Sequence, residues 1–83
     1  MRTRIIVHSK DPVFLRGEGT PSLNWERGIK LTQANAEEWI WETEEPFTEG
    51  EFKILLHDHT TELGSSHPLY PGASIRVNPK FPS

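Results

Sequence analysis

Apolar and polar residues alternate along most of this chain, and a helical period is almost absent. Residues 2–8 read as a first strand, closed by the turn-forming run Ser9-Lys10-Asp11-Pro12. Val13-Phe14-Leu15-Arg16 predicts a second strand ending at the glycines 17 and 19, and Gly28-Ile29-Lys30-Leu31-Thr32 alternates again. Glu38-Trp39-Ile40-Trp41-Glu42-Thr43 combines β-forming residues with flanking charge and is a further strand. Across residues 50–57 the alternation puts Phe52, Ile54 and Leu56 on one face, with Lys53 and His57 on the other. Ala73, Ile75 and Val77 likewise share a face, opposite Ser74, Arg76 and Asn78. Seven prolines cut the chain into short pieces, leaving Gln33-Ala34-Asn35-Ala36-Glu37 as the only candidate for a helical turn. The expected class is therefore all-β, an antiparallel β-sandwich of about seven short strands.

The three tryptophans fall in different settings. Trp39 and Trp41 are two apart and share a strand face, while Glu38, Ile40 and Glu42 take the other. The charged face meets water, which puts both indoles in or beside the core. The alternative is that one of them surfaces at a sheet edge as a ligand platform, so Trp39 stands as a candidate binding residue. Trp25 differs, because it closes the run Gly17-Glu18-Gly19-Thr20-Pro21-Ser22-Leu23-Asn24, which is built from turn and loop formers. An indole on a loop rim offers a flat apolar face and one N–H donor, which suits a sugar ring with its apolar face and hydroxyl edge. The competing reading folds Trp25 back as a plug over the end of the core.

Composition narrows the partners. With 83 residues the chain is expected to form one domain, residues 1–83, with a modest core. A formal charge of −3 argues against a nucleic-acid backbone as principal partner, since such binding leans on clustered basic groups. Cysteine is absent, so neither a disulfide nor a thiolate metal site is expected. No apolar run approaches the roughly 18 residues that cross a bilayer, so no membrane partner is expected. The start of the chain lacks a secretory apolar segment, which favours a cytoplasmic location. An uncovered edge strand such as residues 2–8 offers a route to pairing with a second copy.

Several motifs in order resemble a known superfamily. Val13-Phe14-Leu15-Arg16-Gly17, Leu23-Asn24-Trp25, Glu38-Trp39-Ile40-Trp41, Glu51-Phe52-Lys53-Ile54-Leu55 and Glu62-Leu63-Gly64 follow one another as in starch-binding carbohydrate-binding modules. They are similar also to the related glycogen-binding modules. The resemblance covers most of residues 13–64 and implies an immunoglobulin-like sandwich that holds α-glucan without cutting it. It further implies that Trp25 stacks on sugar, that Lys53 donates a hydrogen bond, and that Glu62 and Trp39 belong to the ligand-binding set. The family's second stacking Trp, just before the Glu-x-Gly turn, is Thr61 in this chain, and its second-site tyrosines fall near Ser9 and Thr32. Tyr70 and His67 follow that turn and are candidates to replace the missing ring. The alternative function is a protein-interaction or structural β-sandwich that has lost the sugar.

Other chemistry finds less support. His57-Asp58-His59 with His67 nearby has ligand types for zinc, although the same residues read as a solvated hairpin tip. Glutamates 37, 38, 42, 44, 45, 49 and 51 form an acidic belt. A glycosidase needs two carboxylates about 5–9.5 Å apart across a cleft, which a small sandwich does not readily shelter. No nucleophile elbow or phosphate loop is present. The expectation is a binding protein with no catalytic residues, no cofactor and no metal.

Overall fold

The computed structural model describes residues 2–82, and its elements among them are nine strands. They are β1 (Thr3–His8), β2 (Val13–Glu18), β3 (Ile29–Lys30), β4 (Thr32–Asn35), β5 (Glu38–Thr43), β6 (Gly50–Leu56), β7 (Thr60–Thr61), β8 (His67–Leu69) and β9 (Ser74–Val77). The first sheet runs β4-β5-β1-β9; the second runs β3-β2-β6-β7, with β8 also paired to β6. The architecture is all-β, two sheets packed into a sandwich-like globule.

Alternation decides which face each strand buries. Ile5 and Val7 of β1 and Trp39 and Trp41 of β5 point inward from the first sheet; Val13, Leu15, Phe52 and Ile54 point inward from the second. Removing these apolar side chains from water is the main force holding the layers together, at about 25 cal/mol per Å² of apolar surface. Both β5 indoles are thus core residues, at 6% and 8% exposure, and Trp39 donates its Nε1 proton to the carbonyl of Ser9 at 3.1 Å. Trp39 has no face left for a ligand, which corrects its candidacy as a binding residue.

Four further expectations are corrected. The sheets are not wholly antiparallel, because β9 lies parallel to β1, Arg4 beside Ser74 through Val77 beside Val7. Strand β1 is not an edge: β5 and β9 flank it on either side. The residues marked as a helical turn instead continue β4 to Asn35 and then turn at Ala36 and Glu37 into β5. The alternating run through Leu31 is not one strand, since β3 belongs to the second sheet and β4 to the first. Leu31 is the crossover, buried at 2% with its N–H donated to Val13 O at 3.1 Å. Burying the crossover leucine lets one extended segment serve both layers.

Candidate functional site

The loop between β2 and β3 carries Trp25, and local chemistry sets its path. Thr20-Pro21-Ser22-Leu23 forms a β-turn, with Leu23 N–H donating to Thr20 O at 3.2 Å and proline at the second position. Leu23 then anchors the loop in the core. Asn24 Oδ1 accepts the N–H groups of Glu26 and Arg27, an Asx-turn that bends the chain immediately after Trp25. Trp25 is left 40% exposed, with its Nε1 proton donated to Glu18 Oε1 at 3.1 Å. The indole is wet and on the rim; it does not plug the core.

Arg16 fastens this loop. Its Nη1 donates to Trp25 O at 3.1 Å, its Nε to Asp58 Oδ1 at 2.9 Å, and its Nη2 to Asp58 O at 3.2 Å. Asp58 Oδ2 in turn accepts Gly28 N–H at 3.2 Å. One guanidinium thereby joins the Trp25 loop to the tip of the β6–β7 hairpin, where His57 and Asp58 both take left-handed backbone angles. A left-handed pair is what a tight hairpin with matching strand twist requires. Gly28 must lack a side chain, because a Cβ there would lie 2.1 Å from Asp58 Oδ1. The hydrogen bond from Arg16, reinforced by Gly28 N–H, holds the Asp58 carboxyl below its ordinary value against the opposing effect of burial.

Lys53 of β6 stands directly opposite Arg16 of β2, so its side chain shares the outer face of the second sheet. Trp25 and Lys53 are therefore both tied to Arg16, one by hydrogen bond and one by register. Lys53 Nζ donates one proton to Gly64 O at 2.7 Å, which holds the loop after β7 and leaves two donors.

Glu62 has a different task. Strand β7 pairs with β6 at Leu55 and Leu56, and β8 pairs with it at Gly50 to Phe52, leaving Ile54 between them. Glu62 N–H donates to Ile54 O at 3.0 Å, and Glu62 Oε1 accepts Ile54 N–H at 2.8 Å. The carboxylate thus completes the sheet edge where no strand does. The same oxygen lies 2.9 Å from His67 Nε2, and His67 packs on Phe52 with ring centroids 5.0 Å apart. With its side chain 3% exposed, Glu62 is committed to the fold, which corrects its candidacy as a sugar ligand. His67, a third exposed, is held by this carboxylate and by Phe52. Among the described residues no cluster of three His, Cys, Asp or Glu side chains is arranged to hold a metal.

Beside Trp25 the outer face sinks into an open hollow of about 420 Å³, lined by Glu18, Glu49, Gly50, Glu51, Pro68 and Tyr70. Its floor follows from register: Glu18, Glu51 and Pro68 lie side by side on β2, β6 and β8. Two strand spacings of about 4.8 Å separate the Glu18 and Pro68 ends. Trp25 is attached at the Glu18 end, and Tyr70, 53% exposed, stands two residues beyond Pro68. The next row on the same face is Arg16 and Lys53. Carboxylates that accept, an ammonium that donates and two exposed rings suit a neutral ligand rich in hydroxyl groups.

Turn-forming neighbours pointed to Trp25, and the resemblance to starch-binding modules pointed to Lys53. Arg16 and Asp58 were missed because only the β2–β6 register and the hairpin turn bring them together, and Glu18 because the path of the β2–β3 loop returns Trp25 to it. The one local signal was an arginine inside an apolar strand, which demands a nearby acceptor. Compared with family models, curated proteins and solved structures, the chain matches none.

Proposed function

We propose that the protein is a non-catalytic binding module for a neutral polysaccharide of the α-glucan type, built on an immunoglobulin-like sandwich. The observation that carries this reading is the exposed indole of Trp25, fixed by Arg16 and Glu18 on the sheet face that also bears Lys53. A sugar ring would stack on Trp25, accept a hydrogen bond from Lys53 and donate hydroxyls to Glu18 and Glu51. Tyr70 would supply a second ring across the hollow, at the Glu51 end of β6 and away from Thr61, the position of the second Trp in the starch-binding pattern. The hollow is an open strip of sheet surface that excludes no water, which favours holding a glycan over cleaving it.

Magnitudes set the expected strength. One stacked face contributes about 1–2 kcal/mol at 25 cal/mol per Å². A charge-assisted hydrogen bond from Lys53 adds roughly 1.5–3 kcal/mol. After the loss of ligand freedom, a dissociation constant near 1 mM, about −4 kcal/mol, is expected. Tryptophan fluorescence during titration with maltoheptaose or β-cyclodextrin tests the reading. A saturable shift that disappears in Trp25→Ala is the expected result; a flat titration to tens of millimolar overturns it.

One observation favours a second reading, a structural or protein-interaction sandwich without a glycan. The polar handles are already used within the chain, the one Trp25 Nε1 proton by Glu18 and one of the three Lys53 Nζ protons by Gly64 O. A flat titration together with capture of a protein partner that Trp25→Ala abolishes would establish that alternative.

A further inference from the structure

Rows of side chains cross the outer face of the second sheet, and they differ in what they leave free. Phe14, Leu55 and Thr61 lie side by side in one row, where Leu55 is 4% exposed and Thr61 offers no ring. Arg16 and Lys53 form the next, and both already hold backbone carbonyls of neighbouring loops. Glu18, Glu51 and Pro68 form the row beyond, all exposed. Among the described residues neither glutamate is in an ion pair. Glu18 accepts from Trp25 Nε1, and Glu51 accepts from Ser66 Oγ at 3.3 Å. Both donors are neutral and each takes one acceptor site, so the carboxylates keep capacity for further hydroxyls.

An exposed ring stands at either end of this last row, and each rises from a pinned turn. Trp25 is held at the Glu18 end by Arg16, by Glu18 and by the Asx-turn at Asn24. Tyr70 lies beyond the Pro68 end on the turn Tyr70-Pro71-Gly72-Ala73, in which Ala73 N–H donates to Tyr70 O at 3.2 Å. Proline at the second position and Gly72 at the third, with φ of 79°, are what a type II turn requires. Gly72 N–H donates to Thr3 Oγ1 at 2.9 Å, which fastens this turn to β1 of the first sheet. The backbone under both rings is thus fixed before a ligand arrives, which lowers the ordering cost of binding.

Strand pairing sets the distance between the two ends. Glu18 and Pro68 are two spacings of about 4.8 Å apart, and one spacing is close to the length of one pyranose unit in a glucan chain. A disaccharide stacked on Trp25 ends over Glu51, short of Tyr70. A longer chain reaches both rings.

We propose that the glycan crosses the strands along the Glu18–Glu51–Pro68 row, from Trp25 to Tyr70, so that the site selects chains of about four or more sugars over maltose. This path rests on the α-glucan reading of the Trp25 face and adds a direction and a minimum length to it. It leads away from Thr61, so the second ring differs in place as well as in kind from that of the starch-binding pattern.

Isothermal titration calorimetry with maltose, maltotriose, maltotetraose and maltohexaose tests the path. The dissociation constant is expected to fall about fivefold or more from maltose to maltotetraose, and to change less than about twofold from there to maltohexaose. Tyr70→Ala, folded by circular dichroism, brings maltohexaose to within about twofold of maltose, whereas Tyr70→Phe keeps the ring and the gain. Thr61→Trp supplies the ring of the starch-binding pattern and leaves the length dependence unchanged. Equal affinity for all four sugars overturns the path while the α-glucan reading stands. So does a length gain that survives Tyr70→Ala or grows in Thr61→Trp. A flat titration with every sugar overturns both.

Discussion

The outer faces of the two sheets use similar residues for different ends. On the first sheet, charges pair with charges on or next to regular strands: Arg4 with Glu42 at 3.2 Å, Arg76 with Glu38 at 3.0 Å and, just past the strand ends, Arg2 with Glu42 and Glu44. These pairs are exposed, and each holds two side chains that the ladder already positions. On the second sheet, the paired charges Arg16 and Asp58 and the lysine also reach backbone: Arg16 to the carbonyls of Trp25 and Asp58, Lys53 to that of Gly64, and Asp58 to the N–H of Gly28. There the side chains order loops that have no ladder of their own. Irregular backbone carrying an aromatic ring stays on the surface only when something pins it, and this is why the candidate site lies on the second sheet.

That contrast can be broken experimentally, and the largest effect belongs at the gap in the second sheet. Glu62→Ala leaves Ile54 N–H buried without an acceptor, and a loss of about 2–3 kcal/mol is expected in urea unfolding. Glu62→Gln keeps an acceptor in place and should lose clearly less. Next comes Arg16→Met, which retains the aliphatic stem but strands Asp58 and the Trp25 carbonyl. A loss of about 1–2 kcal/mol is expected for this part-buried pair, together with a change in Trp25 emission as the loop is released. The matching change on the first sheet, Arg4→Met, should cost less than about 1 kcal/mol in the same assay. If Arg4→Met equals or exceeds Arg16→Met, the contrast between the two faces does not hold.

Acid provides a finer comparison. Asp58 is held below its ordinary value chiefly by the hydrogen bond from Arg16, and Glu38 by those from Asn35 and then Arg76. In both cases the unfolded chain binds the proton more readily than the folded one. Their contribution is therefore complete above the unfolded values near pH 4 and is lost as pH falls through the lower folded values. Unfolding midpoints measured between about pH 5 and 2 should fall with pH, and Asp58→Asn or Glu38→Gln should each flatten that decline. Because Asp58 also carries the Gly28 contact, Asp58→Asn should alter Trp25 emission as well, whereas Glu38→Gln should leave it unchanged. The smallest effect is on ligand: Tyr70→Ala should weaken α-glucan binding by several-fold, less than Trp25→Ala, if the hollow is the binding strip.

Period-two alternation was enough to assign an all-β class, the inward faces of Phe52 and Ile54, and the β5 boundaries at Glu38 and Thr43. Those features depend on steric preferences and on burial of one face, both of which act within a few residues. Which strand lies next to which was another matter. The interior place of β1, its parallel neighbour β9 and the crossover at Leu31 follow from closing loops and covering a shared core, and no local pattern records them. Leu55 shows the limit at a single residue: alternation sets it on the outer face, opposite Phe14, yet it is 4% exposed. Glu62 shows it again, since only the gap between β7 and β8 makes a buried carboxylate the natural partner of Ile54. Trp25 was recognisable as a loop indole from its turn-forming neighbours. That it stays in water beside Lys53 depended on Arg16 and Asp58, forty-two residues apart in the chain, meeting through the pairing of β2 with β6. Hydrogen bonds between distant residues depend on the whole fold, and that is why the loops of this surface had to await the tertiary structure.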